Sequence, residues 1–173
     1  MYRYIPLLLL VILSACQKET EQVFKPLEEY PDLLSEGVTM RYYDSASLEI
    51  IIRTPKQVRL RTQDEVFPKG MNVEFYKGSD SIQSTMVCDS AFYHKKEAYW
   101  SFFGDVEVDN RKEKRNLKSQ YLEWRPEIEE VYTDKPVVII SEGQQINGKG
   151  LRAKEDFSEY EILNVTGIID LSE

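Results

Sequence analysis

The sequence predicts an all-β, mostly antiparallel domain, on three observations. From Val38 onward, short stretches with apolar side chains at every second position recur between turn residues. No ten-residue window beyond the N-terminal apolar run carries helical spacing, while eleven Tyr and seven Phe, many beside Val and Ile, suit strands. The chain also resembles itself at a spacing of about thirty residues, so each unit is a strand pair that must stack on its neighbours to bury its apolar face. Stacks of this kind form an elongated sandwich, roll or solenoid.

The first element is not part of that domain. Arg3, the apolar run Ile5 to Leu13 and the small residues Ser14-Ala15 before Cys16 form a secretory signal. As a helix the run would extend only about 13 Å, against roughly 30 Å of hydrocarbon. A cysteine at the cleavage point predicts a lipoprotein signal over 1–15, with lipid attachment at Cys16; the alternative is an ordinary signal that ends near a cysteine. Stable anchoring by acyl groups takes more than one chain, each buried CH2 contributing about 0.8 kcal/mol. Cleavage removes one charge, Arg3, and takes the net charge from -8 to -9 over 158 residues, one domain's worth of chain. Such acidity argues against nucleic-acid partners, which need clustered Lys and Arg.

Residues 16–36 are polar, with Pro26 and Pro31, and are expected to be a lipidated N-terminus and tether with at most one helical turn at Leu33-Leu34. The β-domain is expected over 37–171. Leu48, Ile50 and Ile52 alternate with Glu49 and Arg53; Met71, Val73 and Phe75 alternate with Asn72 and Glu74 and lead to a hairpin turn at Lys77-Gly78-Ser79-Asp80. Trp100 and Phe102 run through Gly104-Asp105 into Val106-Glu107-Val108, and a polar loop is expected from Asp109 to Asn116. Leu122 and Trp124 flank Glu123, with Pro126 as the stop, and Val137 to Ile140 is apolar throughout, which leaves its facing ambiguous. Ala91-Phe92-Tyr93 followed by Gly104 to Val108 recurs as Leu122-Glu123-Trp124 followed by Asp134 to Val138, and more weakly as Gly150 to Ala153 followed by Val165 to Ile168.

Catalytic chemistry finds few candidates. The single histidine, His94, lies in a polar stretch expected to be a solvated turn, no Gly-x-Ser-x-Gly elbow accompanies it, and zinc sites of His and Cys lack their ligands. No Walker or glycine-rich nucleotide fingerprint is present. We therefore expect no enzyme, no catalytic residue, no metal and no cofactor; a carboxylate pair is not excluded by counting, but the acids suit a solvated face. Cys88 has no internal disulfide partner once Cys16 is acylated. The alternating stretches give one apolar face: Ile50, Ile52, Val73, Phe75, Phe102, Val106, Val108, Leu122, Trp124, Val137 and Ile139. From the residues alone this face is either a closed core or a groove. A stack of strand pairs also ends in two unpaired edges, which partners can extend by strand addition.

Six blocks in fixed order resemble the LptC family, the periplasmic membrane-anchored component of the lipopolysaccharide export machine, over roughly Pro31 to Ile168. They are Ser84 to Tyr93, Phe102 to Val108, Leu117 to Trp124, Thr133 to Val137, Ile146 to Ala153, and Val165-Thr166-Gly167. The resemblance implies a twisted antiparallel β-jelly roll, open along one side, whose apolar interior holds the acyl chains of lipopolysaccharide. It implies an inner-membrane ABC transporter complex as partner at the N-terminal edge. At the C-terminal edge, Val165, Thr166, Gly167 and Ile168, it implies a soluble periplasmic bridge protein. Better-known members are held by a transmembrane helix, whereas this chain carries a lipobox, followed by Gln17 rather than an aspartate. The expected address is the periplasmic face of the inner membrane, with the outer membrane second, where a lipoprotein of this fold would act as a β-sandwich binding or scaffold module.

Overall fold

A computed structural model describes residues 31–76 and 80–171. The signal, Cys16, the tether up to residue 30 and most of the Lys77-Gly78-Ser79-Asp80 turn lie outside the described residues. Eleven strands follow one another: β1 (Pro31–Asp44), β2 (Ser47–Leu60), β3 (Glu65–Phe67), β4 (Met71–Phe75), β5 (Ser84–Cys88), β6 (Ser90–His94), β7 (Tyr99–Asn110), β8 (Arg115–Arg125), β9 (Glu130–Ser141), β10 (Gln144–Lys154) and β11 (Tyr160–Asp170). All pair antiparallel in a single sheet. The fold is all-β, as the alternation predicts, and takes the form of a β-jelly roll.

The sheet is folded along a spine. The N-terminal half of β7 pairs with β6 and its C-terminal half with β5; likewise β2 gives residues 50–53 to β4 and 58–59 to β3. These pairings close a ring, and each long strand crosses from one wall of the roll to the other. At the crossing the register slips: between Phe103 and Val106, between Ser119 and Glu123, and between Lys149 and Leu151. Bulges of this kind bend a strand and sharpen its twist. Pro55, which has no N–H to donate, sits where β2 leaves β4 and joins β3, and the buried Thr54 hydroxyl donates to the Gly70 carbonyl at 2.8 Å across the same line. The short pairs β3–β4 and β5–β6 are long strands broken at the spine, by Pro68 to Gly70 and by Asp89.

Between the walls lies a filled core. Phe67, Phe75, Phe102, Ile52, Met86, Leu122, Ile139 and Leu151 are fully buried. Trp100 stacks on Phe102 and Trp124 with ring centroids 6.2 Å apart in each pair, and Phe75 meets Trp124 edge-on at 5.7 Å. Val137 and Ile139 point inward and Val138 outward, which resolves the ambiguous run of β9.

Two boundaries differ from expectation. β1 begins at Pro31, so Leu33-Leu34 is strand rather than a helical turn, and residues 31–36 belong to the roll rather than the tether. The cause is a partner: β2 continues to Leu60 and supplies backbone pairing at Leu33↔Arg59 and Leu34↔Val58, although both leucines remain about half exposed. The loop between β7 and β8 shrinks to 111–114, because Asp109 and Asn110 pair with Asn116 and Arg115.

Candidate functional site

Ten of the eleven residues expected to form the apolar face, all except Ile50, are no more than 2% exposed. They come from β2, β4, β7, β8 and β9, so the structure brings the whole face together. It closes that face upon itself rather than leaving an empty groove. Ile50 is the exception, half-buried at the end of β2 and packed against the core.

Its position matters because of how the roll opens. Folding along the spine leaves two free margins. One carries the turns at 61–64, 95–98, 126–129 and 155–159; the other carries those at 45–46, 111–114 and 142–143. Between the margins, at the N-terminal end of the roll, runs a cleft of about 590 Å³. Met40, Tyr42 and Ile50 line it from one side, and Tyr93, Trp100 and Trp124 from the other. Its floor is therefore the outer layer of the core itself. The polar rim is built: Gln57 donates to the Glu65 carboxylate at 2.8 Å, and Arg59 to its other oxygen at 3.2 Å. Burial, then Glu65 and Tyr93 nearby, push the Tyr42 phenol above its ordinary value, so it stays a neutral donor.

Met40, Tyr42, Tyr93 and Trp100 were not part of the expected apolar face. Alternation within each strand faces them inward, but no local signal says that the end of β1 lies opposite the β6–β7 turn. His94 also differs from expectation. It closes β6, stacks on Tyr99 with centroids 4.0 Å apart and lies 3.1 Å from the Ser101 hydroxyl. Cys88 is half-buried, and desolvation pushes its thiol up to about 12, so it stays protonated and unreactive near neutrality. Among the described residues no three or more His, Cys, Asp or Glu side chains are grouped to hold a metal ion. Among the same residues no helix is long and apolar enough to cross a membrane.

The expected partner edge is a true edge. β11 pairs only with β10, and β1 only with β2, so the two form the ends of the sheet among the described residues. Val165 and Ile168 are 55% and 60% exposed; Thr166 is exposed and Gly167 half-buried. Leu163, Ile169 and Leu171 extend the same apolar edge.

No curated protein matches the chain at a significant level. Residues 4–170 match the family described as lipopolysaccharide-assembly, LptC-related, which takes in every strand of the roll. A match of that extent, on a β-jelly roll with the order of strands just described, places the chain: it belongs to the LptC family, a transport component of lipopolysaccharide export in the periplasm.

Proposed function

We propose that this chain receives lipopolysaccharide from the inner-membrane transporter, holds its acyl chains between the walls of the roll, and passes it to the soluble bridge protein along the β11 edge. Acyl groups on Cys16 would anchor it in place of a helix. The observation that carries the reading is the lateral cleft, whose floor of Ile50, Trp100 and Trp124 is continuous with the core. A chain segment that loses roughly 200 Å² of apolar surface to such a floor is stabilised by about 5 kcal/mol. That is enough to hold a lipid without trapping it. No covalent step is needed, and direction comes from the transporter's ATP hydrolysis.

The test is cross-linking to purified lipopolysaccharide from a photoactivatable residue at Ile50, in the cleft, and at Phe102, in the interior. Both positions are expected to label, Ile50 more strongly because it is half-buried and needs no opening of the core. Absence of label at both, with the variants folded, would sink the reading.

Edge transfer has its own test. Gly167 and Ile168 pair in regular succession with Asn147 and Ile146, so their N–H groups point to opposite sides of β11. Proline at one removes an outward donor, and at the other a bond to β10. Of Gly167→Pro and Ile168→Pro, one is expected to keep its melting temperature and lose binding to the bridge protein. If both variants bind as the parent does, β11 is not the docking edge.

A further inference from the structure

The cleft does not run the length of the roll. Towards the C-terminal end the two margins are joined by the β10–β11 turn, residues 155–159, which reaches from one wall to the other. Asn110, at the end of β7 on the opposite margin, donates its side-chain amide to the Asp156 carbonyl at 2.9 Å. Arg115, at the start of β8, donates to the Phe157 carbonyl at 3.4 Å and lies over the Tyr160 ring at 4.7 Å. On its own margin the turn is tied to the cleft: the Trp124 indole N–H donates to the buried Glu155 carboxylate at 2.9 Å.

Phe157 occupies the space these contacts enclose. It is 3% exposed and packs with the core, although it belongs to a turn rather than a strand. Its backbone holds φ at +55°, a conformation that costs an L-residue with a large side chain. A side chain kept inside by side-chain-to-carbonyl bonds, on a strained backbone, is held by contacts that can be exchanged.

We propose that the turn 155–159 is a strap across the open side of the roll, with Phe157 standing where an acyl chain lies when the strap is displaced. The proposal rests on the reading that acyl chains enter between the walls. Closed, the strap confines lipid to the N-terminal cleft; open, it joins the cleft to the C-terminal half and the β11 edge. The turn is the direct continuation of β11, so a strand added to that edge pulls on the element that must move.

The test uses the full chain carrying Cys88→Ser with Asn110→Cys and Asp156→Cys, before and after the two thiols are joined by a short bismaleimide. Photoactivatable residues are placed at Ile50 in the cleft and at Ile162 beyond the strap, both half-buried, and purified lipopolysaccharide is the probe. Joining the margins is expected to abolish cross-links at Ile162 and to leave those at Ile50. Phe157→Gly, which removes both plug and strain, is expected to raise cross-links at Ile162. Ile162 cross-links that survive joining, with Ile50 still labelled, overturn the strap alone. An unlabelled Ile50 in every variant overturns the acyl-binding reading, and the strap with it.

Discussion

Phe102→Ala is expected to destabilise the domain by about 3–5 kcal/mol, lowering the thermal midpoint by roughly 10–20 °C. Phe102 is fully buried, stacks on Trp100 and pairs across β7 and β8 with Leu122. Truncation removes its transfer free energy and leaves a cavity, because neighbours fixed on kinked strands relax only in part. Phe103, the next residue, faces outward at 42% exposure, where its ring meets that of Tyr121 at 5.2 Å. Phe103→Ala is expected to cost about 1 kcal/mol or less. Urea melts of both variants check the contrast. The ratio carries functional content as well. Were the interior an open groove, Phe102 would already face solvent or lipid, and its truncation would cost little more than that of Phe103. A large difference means that the interior is a closed core, and that under the proposed function the walls must separate to admit an acyl chain.

What was legible before the structure follows from what each signal measures. Alternation reports which way a side chain points relative to its own strand, and that information is local. It placed Ile52, Val73, Phe75, Val106, Val108, Leu122, Trp124, Val137 and Ile139 on one face, and all are buried. The repeat of strand pairs, a separate signal, implied an unpaired last strand, and β11, which carries Val165 to Ile168, pairs only with β10. Pairing across distance was not legible. The strand at Pro31 to Glu36 exists because β2 runs on past Pro55, the residue that locally argues for a stop. The cleft is a relation between the end of β1 and the turn after β6, more than fifty residues apart in sequence. Glu155 to Ser158 has the composition of any polar turn, and nothing in it announces that Phe157 is core.

The fold depends on its spine, and Gly104→Ala tests the spine where β7 bends across it. Gly104 has φ of +70° and is followed by Asp105 at +37°, which together make the bulge that carries β7 from one wall to the other. A Cβ at Gly104 would lie 2.6 Å from the Asp89 carboxylate oxygen and 2.9 Å from the Asp89 Cβ. Asp89 cannot simply withdraw, because its own N–H donates to the Gly104 carbonyl at 3.0 Å where β5 breaks into β6. Gly37, at φ of +62° in β1 opposite Pro55, meets nothing within 4 Å of its own added Cβ. Both glycines avoid the same left-handed cost, about 1–2 kcal/mol for an L-residue, and only Gly104 adds a clash. Gly37→Ala is therefore expected to lose about 1 kcal/mol, and Gly104→Ala about 3 kcal/mol once the clash is relieved by shifting the strand break. Chemical denaturation of the two variants reads the difference directly. Equal losses would mean that the backbone angle alone sets the cost, and that the bend of β7 does not rest on the close approach of Gly104 to Asp89. A larger loss at Gly104 would make that approach the hinge on which the two walls, and so the cleft between their margins, are set.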